Sequence, residues 1–236
     1  MKTVNYPNIG AVVFKKNARS KRITLRVKPN SPVIVTMPQR ATFKAAERVL
    51  LQHVDWVQQQ QTKIQQQVQT QRLSYDSQFQ VRSKPLRFVP THKQAVYLNI
   101  DAQTIEIQIP TTWSLSDQQT QNILQEAMVK ALRIEGKQYL PQRTIQLAAE
   151  RNISINNIRV KKVKTRWGSC SSKGNINLSL YLMLLPDALI DYVICHELAH
   201  IKHQNHSSAF WMHLEQLLPG AKALDKQLKN YRIPFA

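Results

Sequence analysis

Residues 196–206 read His196-Glu197-Leu198-Ala199-His200-Ile201-Lys202-His203-Gln204-Asn205-His206. His196 and His200 are four apart, so a helix sets both imidazoles on one face, one turn apart, where they can share a metal. Glu197 projects beside them and can take a proton from a water that the metal activates. The helix is expected to be buried, because Ile190, Tyr192, Val193 and Ile194 precede the motif. A buried His-Glu-His cluster is costly unless something satisfies it. Three protein ligands with one open position make a catalytic zinc site, whereas a structural site closes all four.

The third ligand is open among three candidates. His206 is favoured if the helix ends near His203, with Asn205 taking the left-handed turn. Its spacing from His200 equals that of the metzincin motif, with His203 in place of the middle glycine. His203 itself points away if the helix continues, and Glu215 is a downstream carboxylate alternative. Imidazole ligands suit zinc and also other divalent metals.

Upstream, Asn175-Ile176-Asn177-Leu178-Ser179-Leu180 alternates as a half-buried strand. Ser171-Ser172-Lys173-Gly174 reads as a hairpin connection, with Arg159–Arg166 as the partner strand. Arg166-Trp167-Gly168-Ser169-Cys170 would be a turn anchored by Trp167, with Trp167 and Gly168 structural and Arg166 facing the cleft. The strand near 175–181 is expected at a sheet edge, where an extended peptide can pair with it.

Taken together, Arg166-Trp167-Gly168-Ser169-Cys170-Ser171, Pro186, the His196–His200 motif, Asn205-His206-Ser207 and Phe210-Trp211 resemble the YgjP-like metallopeptidase family, a relative of the SprT-like and WLM zinc peptidase domains. Arg19–Val27 is similar to the opening strand of that family. The resemblance implies a zincin-like catalytic part, with His196, His200 and His206 as ligands and Glu197 as the base. It leaves the substrate open.

Charge is the second unusual feature. The 236 residues hold 33 Lys and Arg against 14 Asp and Glu, a net charge of +19. No acidic residue occurs between Arg151 and Pro186, a run that includes Arg159, Lys161, Lys162, Lys164, Arg166 and Lys173. Such a field attracts anions, and it places Lys164 and Arg166 as candidate substrate-binding residues. Two classes of function follow. One is a zinc hydrolase, cutting peptides or, as the alternative, acting as a phosphohydrolase on nucleotides. The other is a nucleic-acid-associated protein whose metal is structural; no DNA- or RNA-reading motif supports it, and Glu197 argues for chemistry. The expected partners are a peptide or a phosphate-bearing substrate, with nucleic acid as a further option and no membrane.

No apolar run is long enough to span a bilayer, and no signal-peptide apolar region opens the chain. Cys170 and Cys195, beside a metal motif, read as reduced thiols of a cytoplasmic protein.

The expected fold class is α+β: a β-rich N-terminal region with one long helix over 1–112, then a helical catalytic domain with a small antiparallel sheet over 113–236. Strands are expected at Ile23–Val27, Val33–Met37, Phe79–Val81, Leu86–Val89, Val96–Ile100 and Ile105–Ile109. The turn Pro29-Asn30-Ser31-Pro32 joins the first two. A helix should start near Thr42 and continue through the glutamine-rich stretch to Gln71, with Ile64 and Val68 keeping its period. Ser116 with Gln119 could form a capping box for a helix reaching Glu150. The order hairpin, proline, helix occurs twice, with Val33–Pro38 parallel to Ile105–Pro110, which suggests an internal duplication.

Overall fold

The computed structural model describes residues 1–29, 31–70 and 72–233, leaving aside the side chains of 67–70. Asn30 of the expected turn, the Val68 side chain and Gln71 therefore lie outside the described residues. The chain forms two compact units, Met1–Arg72 and Leu73–Ala236.

The first unit holds four strands, β1 (Lys2–Tyr6), β2 (Gly10–Asn17), β3 (Thr24–Arg26) and β4 (Val33–Pro38), in the order β1-β2-β4-β3. Two helices follow, α1 (Phe43–Gln52) and α2 (Val54–Thr70). Val12, Phe14, Val33, Val35 and Met37 from the strands and Ala46, Leu50 and Val57 from the helices form its core. Thr42 caps α1, its hydroxyl accepting from the Ala45 amide at 3.1 Å. The expected single helix is broken at His53, whose φ of −121° and ψ of 23° leave the helical region. β1 and β2 were not expected. β1 offers only Val4 and Tyr6 to the core, and β2 ends in Lys-Lys-Asn.

The second unit opens with β5 (Gln78–Val81), β6 (Lys84–Thr91), β7 (Tyr97–Ile100) and β8 (Ile105–Pro110), ordered β5-β6-β8-β7. This repeats the first sheet. In each, antiparallel outer pairs flank a parallel central pair. The central registers run from Val12↔Val33 to Asn17↔Pro38 and from Leu86↔Ile105 to Thr91↔Pro110, both ending on proline. Phe14 opposite Val35 and Phe88 opposite Ile107 take the same place.

Helix α3 (Gln118–Glu150) follows. Its cap is Asp117, not Ser116: the Asp117 carboxylate accepts from the Thr120 amide at 2.9 Å, where a negative charge also suits the helix dipole. Then come β9 (Asn157–Lys161), β10 (Gly168–Cys170), β11 (Asn175–Ser179), a short 3₁₀ turn at Leu180–Leu184, α4 (Asp187–Lys202), α5 (Ser208–Leu217) and α6 (Ala221–Leu228).

The architecture is α+β, as expected, but the small sheet is mixed and not purely antiparallel. Its order is β10-β11-β9, with β10 antiparallel and β9 parallel to β11. The hairpin across Ser171–Gly174 thus joins β11 to the three-residue β10, and not to the 159–166 segment. The stretch 175–179 is consequently the centre of the sheet, with Ile176 and Leu178 buried, and β10 and β9 are its edges. The expected boundary at 112/113 falls within the second unit, where Leu86, Phe88, Ile105, Ile107 and Ile109 share one core with α3 and α4.

Candidate metal centre

Helix α4 is apolar on almost every side; Leu189, Ile190, Val193, Ile194, Cys195, Leu198 and Ala199 are buried in the core of the second unit. That burial fixes the rotation of the helix and thereby the two histidines. The helix ends at His203, which turns extended (φ −127°, ψ 104°) while its amide still donates to Ala199. No left-handed turn is used at Asn205; among described non-glycine residues, only Arg82 and Asn152 have positive φ.

The loop beyond α4 returns His206 to the helix. One ligand atom from each of His196, His200 and His206 lies within 4.8 Å of the others, and these three residues could hold a metal ion. His196 Nε2 and His206 Nε2 are 2.9 Å apart, a separation that a shared cation or a shared proton relieves. His200 Nδ1 lies 2.9 Å from the His203 carbonyl. It donates there, which leaves the Nε2 lone pair free. The Tyr192 hydroxyl donates to Asp225 at 2.9 Å. Having one proton, it acts toward His196 Nδ1, 3.4 Å away, as the acceptor. The three rings stand against one buried side chain: the Phe210 centroid is 4.9, 4.7 and 4.8 Å from His196, His200 and His206.

The other ligand candidates are engaged elsewhere. The His203 ring meets the His213 ring edge to face, with centroids 5.4 Å apart. Glu215 accepts from the Gly220 and Lys222 amides at 2.8 and 2.9 Å and so caps the start of α6.

Glu197 is 5% exposed, and its Oε2 has no hydrogen-bond partner. Burial pushes its carboxyl up to about 8, opposed by the charge of Arg166. Burial likewise lowers His196 to about 4, helped by His200 and His206, which keeps the imidazole neutral and able to ligate. Arg166 is exposed and acts on Glu197 through charge. Lys164 is half-buried, and among the described residues it makes no hydrogen bond or ion pair with the cluster; burial and then Lys162 lower its pKa.

Gly168 has a role the sequence reading missed. A Cβ built there would lie 2.5 Å from Glu197 Oε1 and 2.7 Å from its Cγ. The position is closed to side chains because β10 passes directly over the Glu197 carboxylate. The only sequence signal was a glycine two residues after an arginine and 28 before the motif, which nothing local explains.

The donor set fits a divalent cation: three imidazoles converge beside an unpartnered buried carboxylate. Both cysteines are free; Cys195 is buried beside the motif and Cys170 is half-buried. No helix among the described residues is long and apolar enough to cross a membrane.

The comparison with curated proteins returns no match. Among solved structures, the chain is similar to the metallopeptidase zymogen abylysin of Pyrococcus abyssi, with 28% identity and a TM-score of 0.35 over 39% of this chain and 96% of that one. It is also similar to the zymogen jannalysin of Methanocaldococcus jannaschii, with 27% identity and a TM-score of 0.33 over 38% of this chain and 91% of that one. The family model of the YgjP-like metallopeptidase domain matches residues 21–231. With the match spanning both units and the whole histidine cluster, the chain belongs to the YgjP-like metallopeptidase family.

Proposed function

We propose that this protein is a zinc peptidase in which His196, His200 and His206 hold the metal and Glu197 is the general base. The observation that carries the reading is the Glu197 carboxylate, buried, unpartnered and adjacent to three converging imidazoles. A structural site has no use for such a group, and its burial is costly without a reaction to serve. When bound, a divalent metal supplies Lewis-acid polarisation of the scissile carbonyl and lowers the pKa of water. Zinc is the cation that an all-imidazole set with an open position suits best.

The protein's own groups do the rest. Glu197 removes a proton from the water that adds to the carbonyl carbon, then delivers it to the amine as the C–N bond breaks. The same group thus serves as carboxylate base in the first transfer and as carboxylic acid in the second. Gly168 leaves room for that carboxylate and fixes its orientation. The outer edge of β10, at the end of its sheet, offers backbone groups to an extended peptide. Arg166, whose charge reaches Glu197, neutralises charge that develops on the substrate; Lys164 would serve only substrates reaching further along the 159–164 segment.

The test is a substrate panel of peptides, nucleotides and single-stranded DNA, offered to the metal-loaded wild type and to Glu197→Gln. Peptide cleavage that is lost in the variant supports the proposal. Cleavage of nucleotides alone would replace it with phosphohydrolase chemistry at the same centre.

A further inference from the structure

The excess positive charge is unevenly held. Residues 1–72 carry thirteen Lys and Arg against two acidic residues, whereas residues 73–236 carry twenty against twelve. The first acidic residue is Glu47, so β1–β4 and their loops contain none. Both acids of the unit lie on helices. Glu47 accepts from the Tyr6 hydroxyl, and Asp55 stands in the first turn of α2.

Strand register puts Lys15 and Arg26 on one face and Lys2 and Lys16 on the other. One face of the sheet, with Val12, Phe14, Val35 and Leu25, packs into the core. The opposite face shows the rows Thr3–Val13–Ile34–Arg26 and Lys15–Thr36–Thr24. Arg22 and Lys28 continue the alternation of β3 beyond its ends: Ile23, Leu25 and Val27 pack inward, while Arg22, Thr24, Arg26 and Lys28 are exposed. Among the described residues, none of Lys15, Arg22, Arg26 and Lys28 has an acidic partner.

The second sheet supplies an internal comparison. It has the same order and register, yet Val89 stands where Lys15 does, Asn99 where Arg26 does and Glu106 where Ile34 does. This architecture therefore does not require a cationic face.

We propose that the outer face of the β1–β4 sheet binds the phosphate backbone of a nucleic-acid duplex without reading its sequence. Lys and Arg interspersed with threonine hydroxyls and the Asn5 and Asn17 amides are the groups that contact phosphate and sugar. The face carries no aromatic side chain on which single-stranded bases could stack. Of its apolar strand residues Val13 is buried and Ile34 half-buried, so within β1–β4 it offers no exposed large apolar side chain for insertion into lipid. It presents no helix that could enter a groove, so it holds the backbone and not base edges.

The test measures fluorescence anisotropy of short labelled duplexes, DNA and RNA in separate arms, with the full-length protein. A single strand and vesicles of phosphatidylserine and phosphatidylcholine serve as competitors. Lys15→Glu/Arg22→Glu/Arg26→Glu is compared with Arg87→Glu/Lys130→Glu/Lys137→Glu, which changes the net charge equally at exposed positions of the second unit. The sheet variant should lose at least about tenfold in duplex affinity near 0.1 M salt, and its slope of log affinity against log salt should flatten by about 3. The control should stay within about threefold. A preference for either duplex supports the proposal and identifies its source. Equal losses in both variants, no advantage of duplex over single strand, or stronger competition by vesicles would overturn it. If the reversal variant does not fold, Lys15→Gln/Arg22→Gln/Arg26→Gln reads the same slope without introducing negative charge.

Discussion

At the scale of single residues, the account rests on how Glu197 is held. Gly168→Ala should lower turnover at least about 10²-fold, because the added Cβ displaces the carboxylate proposed as the base and loss of a general base costs about 10²–10⁴. Metal content should be unchanged, since no ligand moves. Loss of metal along with activity would show that Gly168 supports the fold and not the carboxylate. The carboxyl also has a pH signature in metal-free protein. Its ordinary value is 4.5 and burial pushes it up to about 8. Between those values the folded chain keeps a proton that the unfolded chain has released, so stability falls as pH rises through this window. Glu197→Gln removes that fall, while the opposing contribution of His196 is common to both proteins. Melts of metal-free wild type and variant should diverge steadily from pH 4.5 to 8; parallel curves would contradict the burial argument. For the third ligand, His206→Ala should bring bound metal close to zero, and Glu215→Ala should leave it intact while loosening the cap of α6. The reverse pattern would move the site.

At the scale of elements, the histidine motif was legible because its information is local. A period of four on an apolar helix places two imidazoles together whatever surrounds it. The return of His206 was legible from spacing alone, though the turn chemistry differs, with an extended His203 ending the helix where a left-handed Asn205 was expected. The β10 strand was not legible as a strand. It has three residues, and its partner is defined by pairing across a hairpin, not by its own alternation. Gly168 illustrates the general limit, since its neighbour is 29 residues away and the reason for glycine is a tertiary contact. Likewise, Ser116 and Asp117 both satisfy cap preferences, and only geometry chooses between them. Asp117→Ala should therefore cost about 0.5–2 kcal/mol in denaturant unfolding. Phe210 is wholly buried beneath the three imidazoles. Phe210→Ala should cost about 3–5 kcal/mol and weaken metal binding, whereas Met212→Ala, exposed on the same helix, should do neither.

At the scale of the molecule, strand positions and the fold class came from alternation, and the repeated strand-proline-helix pattern pointed to the matching topology of the two sheets. The division of the chain did not come through, because β5–β8 looks in sequence like a continuation of β3–β4 while its apolar face belongs to the core of α3 and α4. Each unit has its own core. Residues 73–236 alone should accordingly bind metal with the stoichiometry of the full chain, measured by elemental analysis after gel filtration. Failure of that segment to fold or to hold metal would contradict the independence of the second core.

The central claim is that Glu197 works as a base beside a metal held by three histidines. The most direct measurement determines bound metal and peptide turnover on the same preparations of wild type and Glu197→Gln. The account predicts equal metal content, near one ion per chain, and a loss of turnover of about 10²–10⁴ in the variant. Turnover retained at equal metal content would contradict it.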